Sequence, residues 1–273
     1  MTRSQFAYIL PVLLFLVLLY FLPMFKIVGI SLEFPDFDLK HYVKLYESNA
    51  VRRIAWTTFV ICTATTIITV FLSYILAYDL RFASPGRQKF MFMLVLLPLW
   101  TSALIRCVAW LILLRQNGLV NEALMFVGAI DTPLELVRNK IGVIVGMVHF
   151  LVPFAVLTLY ASFRDIDERL MQASRSLGGR RIDTLSKVFL PLSATGVLQA
   201  VTLTFVFSLG FYVTPALLGG GRTVMLSEYV SVSVLQTLRW GLGTAICIVL
   251  AVLCIGLVLL SQRAIKRWNG AVA

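Results

Sequence analysis

The chain reads as an all-α integral membrane protein with six transmembrane helices, both termini cytoplasmic, and a helical cytoplasmic loop between spans four and five. Three observations carry that reading. Hydrophobic residues make up 59% of the 273 positions and charged residues only 14%, against about 25% charged in soluble domains. The apolar residues collect in six stretches, each near the roughly 20 residues that a hydrocarbon core about 30 Å thick requires. Lys and Arg divide unevenly between the two sets of loops that these stretches create. A soluble globular enzyme is excluded. Disorder is excluded too, because 19 Phe, 5 Trp and 9 Tyr do not stay solvated. One domain is expected over residues 1–273.

The first stretch, Phe6–Phe25, follows Arg3. It is longer than the about 7–15 apolar residues of a signal peptide, and no A-x-A site follows, so it is taken as an uncleaved span. The others are Ile54–Tyr78, Phe90–Leu114, Ile141–Phe163, Pro191–Leu218 and Leu242–Leu260. Pro215 and the run Gly219–Gly221 blur the end of the fifth.

With the N-terminus inside, 13 of the 24 Lys and Arg fall in cytoplasmic segments, six of them in the loop 164–190, and nine fall outside. Lys26 and Arg106 belong to spans. Eight of the 13 acidic residues lie outside, so the inner face carries the basic excess, which suits an anionic leaflet. No basic stripe with interleaved aromatics suggests nucleic acid. Cys62, Cys107, Cys247 and Cys254 lie in apolar stretches with no C-x-x-C and no neighbouring His. They read as small apolar residues, not metal ligands or disulfides.

The loop Arg164–Leu190 is the most specific segment. Asp165 and Glu168 have capping-box spacing, and Ile166, Leu170, Ala173 and Leu177 follow as one apolar stripe at helical spacing. Gly178 and Gly179 supply a left-handed stop. A second short helix carries Ile182, Leu185 and Phe189 on one side and ends at Leu190-Pro191, where Pro suits the first turn of the next span. Small residues at Ala173 and Ser174 let another surface approach closely. From pattern alone, such a helix either lies in a partner's groove or rests on the membrane or on its own bundle.

This loop resembles the "EAA" loop of permease subunits in binding-protein-dependent type I ABC importers. That family's E-A-A, three residues, G, nine residues, I, one residue, L-P falls here on Gln172, Ala173, Ser174, Gly178, Val188, Leu190 and Pro191. Every spacing is kept. Gln replaces Glu and Ser replaces the second Ala, so any ion pair that the family makes through that carboxylate is not carried over. LPLW (Leu97–Trp100), NGLVN (Asn117–Asn121) and FYVTPALLGGG (Phe211–Gly221) are similar to the polyamine branch, that of the spermidine/putrescine permeases.

The resemblance implies a bacterial cytoplasmic (inner) membrane protein that pairs with a second, distinct permease subunit. A cytoplasmic ATPase dimer would dock at Gln172, Ala173, Ser174, Leu177, Gly178, Gly179 and Arg180, and an extracytoplasmic binding protein would deliver a polyamine-like or related organic ion. The alternatives are a passive channel subunit and a membrane scaffold that recruits a cytoplasmic partner.

The chain has no G-x-x-x-x-G-K-[ST], so ATP and Mg are expected on the partner and no cofactor here. It has no H-E-x-x-H and no G-x-S-x-G, which leaves no constellation for a membrane hydrolase. Ionisable residues inside a membrane are costly and mark candidate pathways. Arg106 in the third span either lines a polar path or reaches up to the outer interface. Trp110, one turn on, either stacks on a cation or anchors at the interface. His149 is expected to bond a neighbouring helix, and Gly142 with Gly146 to serve close helix packing. Pro215 and the following glycines suggest a discontinuous helix, with Tyr212, Thr214 and Pro215 as an outer gate. Glu228 either attracts a cationic solute or is a solvated loop charge.

Overall fold

The computed structural model describes residues 3–272, with side chains for 10–268 and Gly270. Met1, Thr2 and Ala273 of the single-domain expectation lie outside the described residues. The chain divides into two compact units, one made of residues up to Arg53 with Tyr229–Val252, the other of Ile54–Glu228 with residues from Leu253 on. Among the described residues there is helix and no strand.

In the first unit, α1 (Arg3–Ser31) is apolar on every side, and none of its hydrophobic window is buried. A helix apolar all round is one that a membrane or another protein surface covers. It ends where Ser31 Oγ donates to the Val28 carbonyl at 2.8 Å and meets the Tyr42 hydroxyl of α2 (Lys40–Glu47) at 2.9 Å. Glu33 pairs with Lys40 and, at 2.9 Å, with His41. The Lys40 hydrogen bond holds the Glu33 carboxyl below its usual range.

In the second unit, α3 (Asn49–Phe82), from Ile54 on, shows how a membrane bundle is sorted. Its buried side carries Thr58, Cys62, Thr65, Thr69, Ser73 and Ala77, and its exposed side Phe59, Ile67, Phe71 and Ile75. Small and hydroxylated residues face the protein because close backbone approach drives helix association when lipid is as apolar as the side chains. Ser73 Oγ donates to the Val152 carbonyl of α7 (Lys140–Arg164) at 3.3 Å.

The third apolar stretch, Phe90–Leu114, is not one continuous helix. It forms α4 (Pro85–Leu96), a 3₁₀ turn Leu97–Trp100 and α5 (Ala103–Leu113), bent by 100° at the break. Pro98 has no N–H to continue the ladder. Thr101 and Ser102 are extended, with ψ of 143° and 138°, and the Thr101 hydroxyl takes up the Pro98 carbonyl at 2.8 Å. After a connecting α6 (Leu119–Phe126), α7 starts with Asn139 accepting from the Gly142 N–H at 2.9 Å.

The fifth stretch also differs from Pro191–Leu218. After α8 (Glu168–Ser176), the helix begins at α9 (Arg181–Thr184), widens into a π turn over Leu185–Phe189 and continues as α10 (Leu190–Leu209). Pro191 therefore starts nothing. Its ring would crowd the carbonyl four residues back, and the π turn relieves this, with Leu190 N–H bonded to Leu185 O. The helix stops at Gly210 and restarts as α11 (Val213–Leu218). Pro215 lies in the first turn of α11, where a proline is tolerated, so the break lies at 210–212 and not at Pro215. The remaining elements are α12 (Leu226–Ser231), a π turn Val232–Gln236 and α13 (Trp240–Val272).

Two glycines let helices touch. A Cβ on Gly196 of α10 would overlap Ser162 of α7, and one on Gly146 of α7 would sit 2.9 Å from Thr214 Cγ2 and closer still to Leu218 Cδ1 of α11. Gly146→Leu should push α11 away and cost about 1–3 kcal/mol, read as a lowered thermal midpoint in detergent, while Gly256→Leu on α13, with open space around it, should not.

Candidate functional site

The loop 164–190 is held to the bundle from three directions. Phe163 and Phe189 are fully buried with ring centroids 4.9 Å apart, and Tyr74 and Tyr78 of α3 pack edge-on at 5.1 and 5.0 Å. Ile166 and Met171 insert into this same core. Arg81, at the end of α3, donates to the Phe163 carbonyl at 3.1 Å and pairs with Glu168 at 2.7 Å. Ser174 and Thr184 share a 3.0 Å hydrogen bond that ties α8 to α9.

The start of α8 differs from the sequence expectation. Asp165 is the last cap of α7, its N–H bonded to Ser162 O. Asp167, in extended conformation, caps α8 instead by accepting from Arg169 N–H at 2.9 Å. Glu168 is spent on Arg81, so no capping box forms. The end of α8 follows expectation. Gly178 has φ of +84°, its N–H bonds Arg175 O, and Gly179 N–H bonds Ser174 O, both at 3.0 Å. This is a Schellman stop. Gly179 must also lack a side chain, because a Cβ would stand 2.8 Å from Ser174 O.

The expected stripe is split. Ile166 turns inward together with Met171, whereas Leu170, Ala173 and Leu177 face outward, Leu177 being 88% exposed. On the second helix Phe189 is buried and Ile182 is exposed. Gln172, Gly178 and Arg180 are exposed, and Ser174 and Gly179 half-buried. The seven residues named for docking thus lie on one short rod whose outward side bears uncovered apolar groups.

The pathway candidates sit toward the other end of α7. The Arg106 guanidinium stands 4.4 Å from the Phe150 ring, with Nε and Nη1 buried and unpartnered. The Trp110 indole donates to His149 Nδ1 at 3.3 Å, so His149 bonds a neighbouring helix as expected. Phe150 meets Phe211 edge-on at 5.1 Å, and Phe211 O accepts from the Ser227 hydroxyl. Thr214 and Pro215 are buried, Thr214 lying 3.7 Å from Cys107 Sγ, while Tyr212 is exposed. Of the three proposed gate residues two are thus buried and one is exposed. Glu228 is no solvated loop charge. It is buried in α12 with Oε2 unpartnered, and Leu226 N–H in the same turn bonds Thr58 Oγ1 at 2.9 Å. Among the described residues no group of His, Cys, Asp and Glu could hold a metal ion.

No family model matches the chain. Relatives do. A probable molybdenum ABC transporter permease protein of Haloferax volcanii is 32% identical over 215 residues, covering 76% of this chain and 72% of that one. The chain is a member of the ABC transporter permease family. The spermidine/putrescine transport system permease protein PotB of Haemophilus influenzae is 29% identical, over 86% of this permease and 82% of its own length. PotB of Salmonella typhimurium (strain SL1344) is 28% identical over 100% and 97%.

Among solved structures, a chain of a bacterial alginate ABC transporter shares the fold at TM-score 0.78 and 19% identity, covering 97% of this permease and 94% of that chain. An inward-facing MetNI methionine ABC transporter chain gives 0.61 at 18%, covering 80% and 95%. With its apolar helices and these relatives, the permease is a multi-pass inner-membrane protein.

Sequence reasoning missed Arg81 and Asn121. Asn121, in α6, is fully buried and fastens two segments, donating to Arg115 O and Leu134 O and accepting from Leu134 N–H, at 2.9–3.0 Å. Its place in NGLVN was a signal of family, not of that role. Arg81 carried no signal beyond its charge.

Proposed function

We propose that this permease is one of two transmembrane subunits of an ATP-driven importer, with both termini and the 164–190 loop in the cytoplasm. The rod 168–180 seats in a cleft of an ATPase subunit. Closure of the ATPase pair on ATP moves the rod as a rigid body and rocks the bundle between inward- and outward-open states. The bias comes from the higher affinity of ATP for the closed dimer. ATP and Mg belong to that partner, a second and distinct permease completes the pathway, and an extracytoplasmic binding protein delivers a small charged organic solute. The relatives' substrates include spermidine and putrescine but also molybdenum, so kinship leaves the sign of that charge to other arguments.

One observation carries the reading: α8 is fastened on its inner side by Glu168, Met171 and Ser174, while Leu177 at its tip is uncovered. A membrane-resting helix would have no need of that anchorage. Uptake by proteoliposomes holding the whole transporter and its binding protein should require ATP. ATP-independent uptake would indicate a channel, and no uptake under any condition a scaffold.

A further inference from the structure

The end of the second unit remote from the 164–190 loop opens into a cavity of about 800 Å³ lined by Arg115, Arg138 and Arg222, with Glu135 as its one carboxylate. Pockets of roughly 300–1,000 Å³ are the size that small ligands occupy. Among the described residues none of the three guanidiniums joins an ion pair. Nor is the lining loose.

Arg138 holds a left-handed φ of +60°, its N–H bonds Leu218 O at 2.8 Å, and its side chain packs where a Cβ on Gly220 would be 2.6 Å from Cγ. Asn121 fixes the Arg115 and Leu134 segments to each other. A non-glycine residue kept in that conformation marks a place where the surroundings over-determine the backbone, as functional sites do.

Leu111 and Leu114 of α5 complete the lining; Arg106, five residues before Leu111 on that helix, is not part of it and packs on Phe150 instead. The three guanidiniums are exposed to solvent; gathered unpaired around one mouth they attract anions and repel cations, and each planar fork matches a carboxylate or similar oxyanion.

We propose that this cavity is the outer entry subsite for an anionic solute bearing carboxylate or oxyanion groups. The inference rests on the importer reading, which puts this end outside, and it gives the solute a negative charge in place of the polyamine expected from sequence.

The test uses the assembled transporter in nanodiscs, with hydrogen exchange followed at constant ionic strength. Millimolar citrate should slow exchange at 134–138 and 218–222 several-fold, spermidine should not, and an Arg115→Gln, Arg222→Gln double variant should lose the citrate effect. No slowing by citrate, or equal slowing by spermidine, overturns the proposal. Slowing by solute-free binding protein but not by citrate also overturns it, and reassigns the arginines to docking. Absence of a co-purifying ATPase would instead count against the importer reading, and the citrate result would stand on the permease alone.

Discussion

Arg81→Ala should yield a transporter that still assembles with its ATPase and hydrolyses ATP but moves solute at least about tenfold more slowly. Arg81 is the side chain that holds α8 to the end of α3 and α7 at once, through Phe163 O at 3.1 Å and Glu168 at 2.7 Å. Hydrogen bonds to a charged group contribute about 1.5–3 kcal/mol each. Glu168 is half exposed, so its share is nearer the 1 kcal/mol of surface pairs. Losing about 2 kcal/mol of anchorage lets the rod move on its partner without carrying the bundle. Met171 and the aromatic core still hold the fold, so the defect should show in the ratio of uptake to ATP hydrolysis more than in thermal stability. Arg81→Lys should recover part of it, since an ammonium cannot present the same planar fork to both acceptors.

The second large effect is expected from Leu177→Asp. At 88% exposure the change should alter the permease's own stability by no more than about 0.5 kcal/mol. In a docked complex it removes about 1.5–3 kcal/mol of apolar burial and adds the desolvation of a carboxylate. ATPase recovery on affinity purification should fall roughly 100-fold at a matched concentration near the dissociation constant. Recovery equal to wild type would show that the rod's tip touches no ATPase.

The sequence made the membrane class, five of the six spans and the left-handed stop at Gly178 legible, because each rests on a local rule: apolar length, or a conformation open to glycine. The bend at Thr101–Ser102 and the π turn before Pro191 were not legible as such. In both, proline announces a disturbed ladder, but whether the helix breaks or widens depends on what packs nearby, which spacing does not encode. The stripe on α8 misled for a similar reason. Ile166 and Leu170 share a helical face only if one helix contains both, and Asp167 starts a new one between them. At the pathway end, sequence singled out Arg106 and Trp110 but not the aromatic contacts each makes. The aromatic under Arg106 is Phe150 and the partner of Trp110 is His149, both supplied by α7 from about forty residues away in the chain.

A photo-crosslinking residue at position 177, in membranes that hold the whole transporter, reports what the tip of the 168–180 rod touches. Irradiation should join the permease to an ATPase subunit, with the yield changing when ATP is trapped on the enzyme. Adducts confined to lipid or to the permease itself, or labelling of position 177 only from the extracytoplasmic side, would contradict the account.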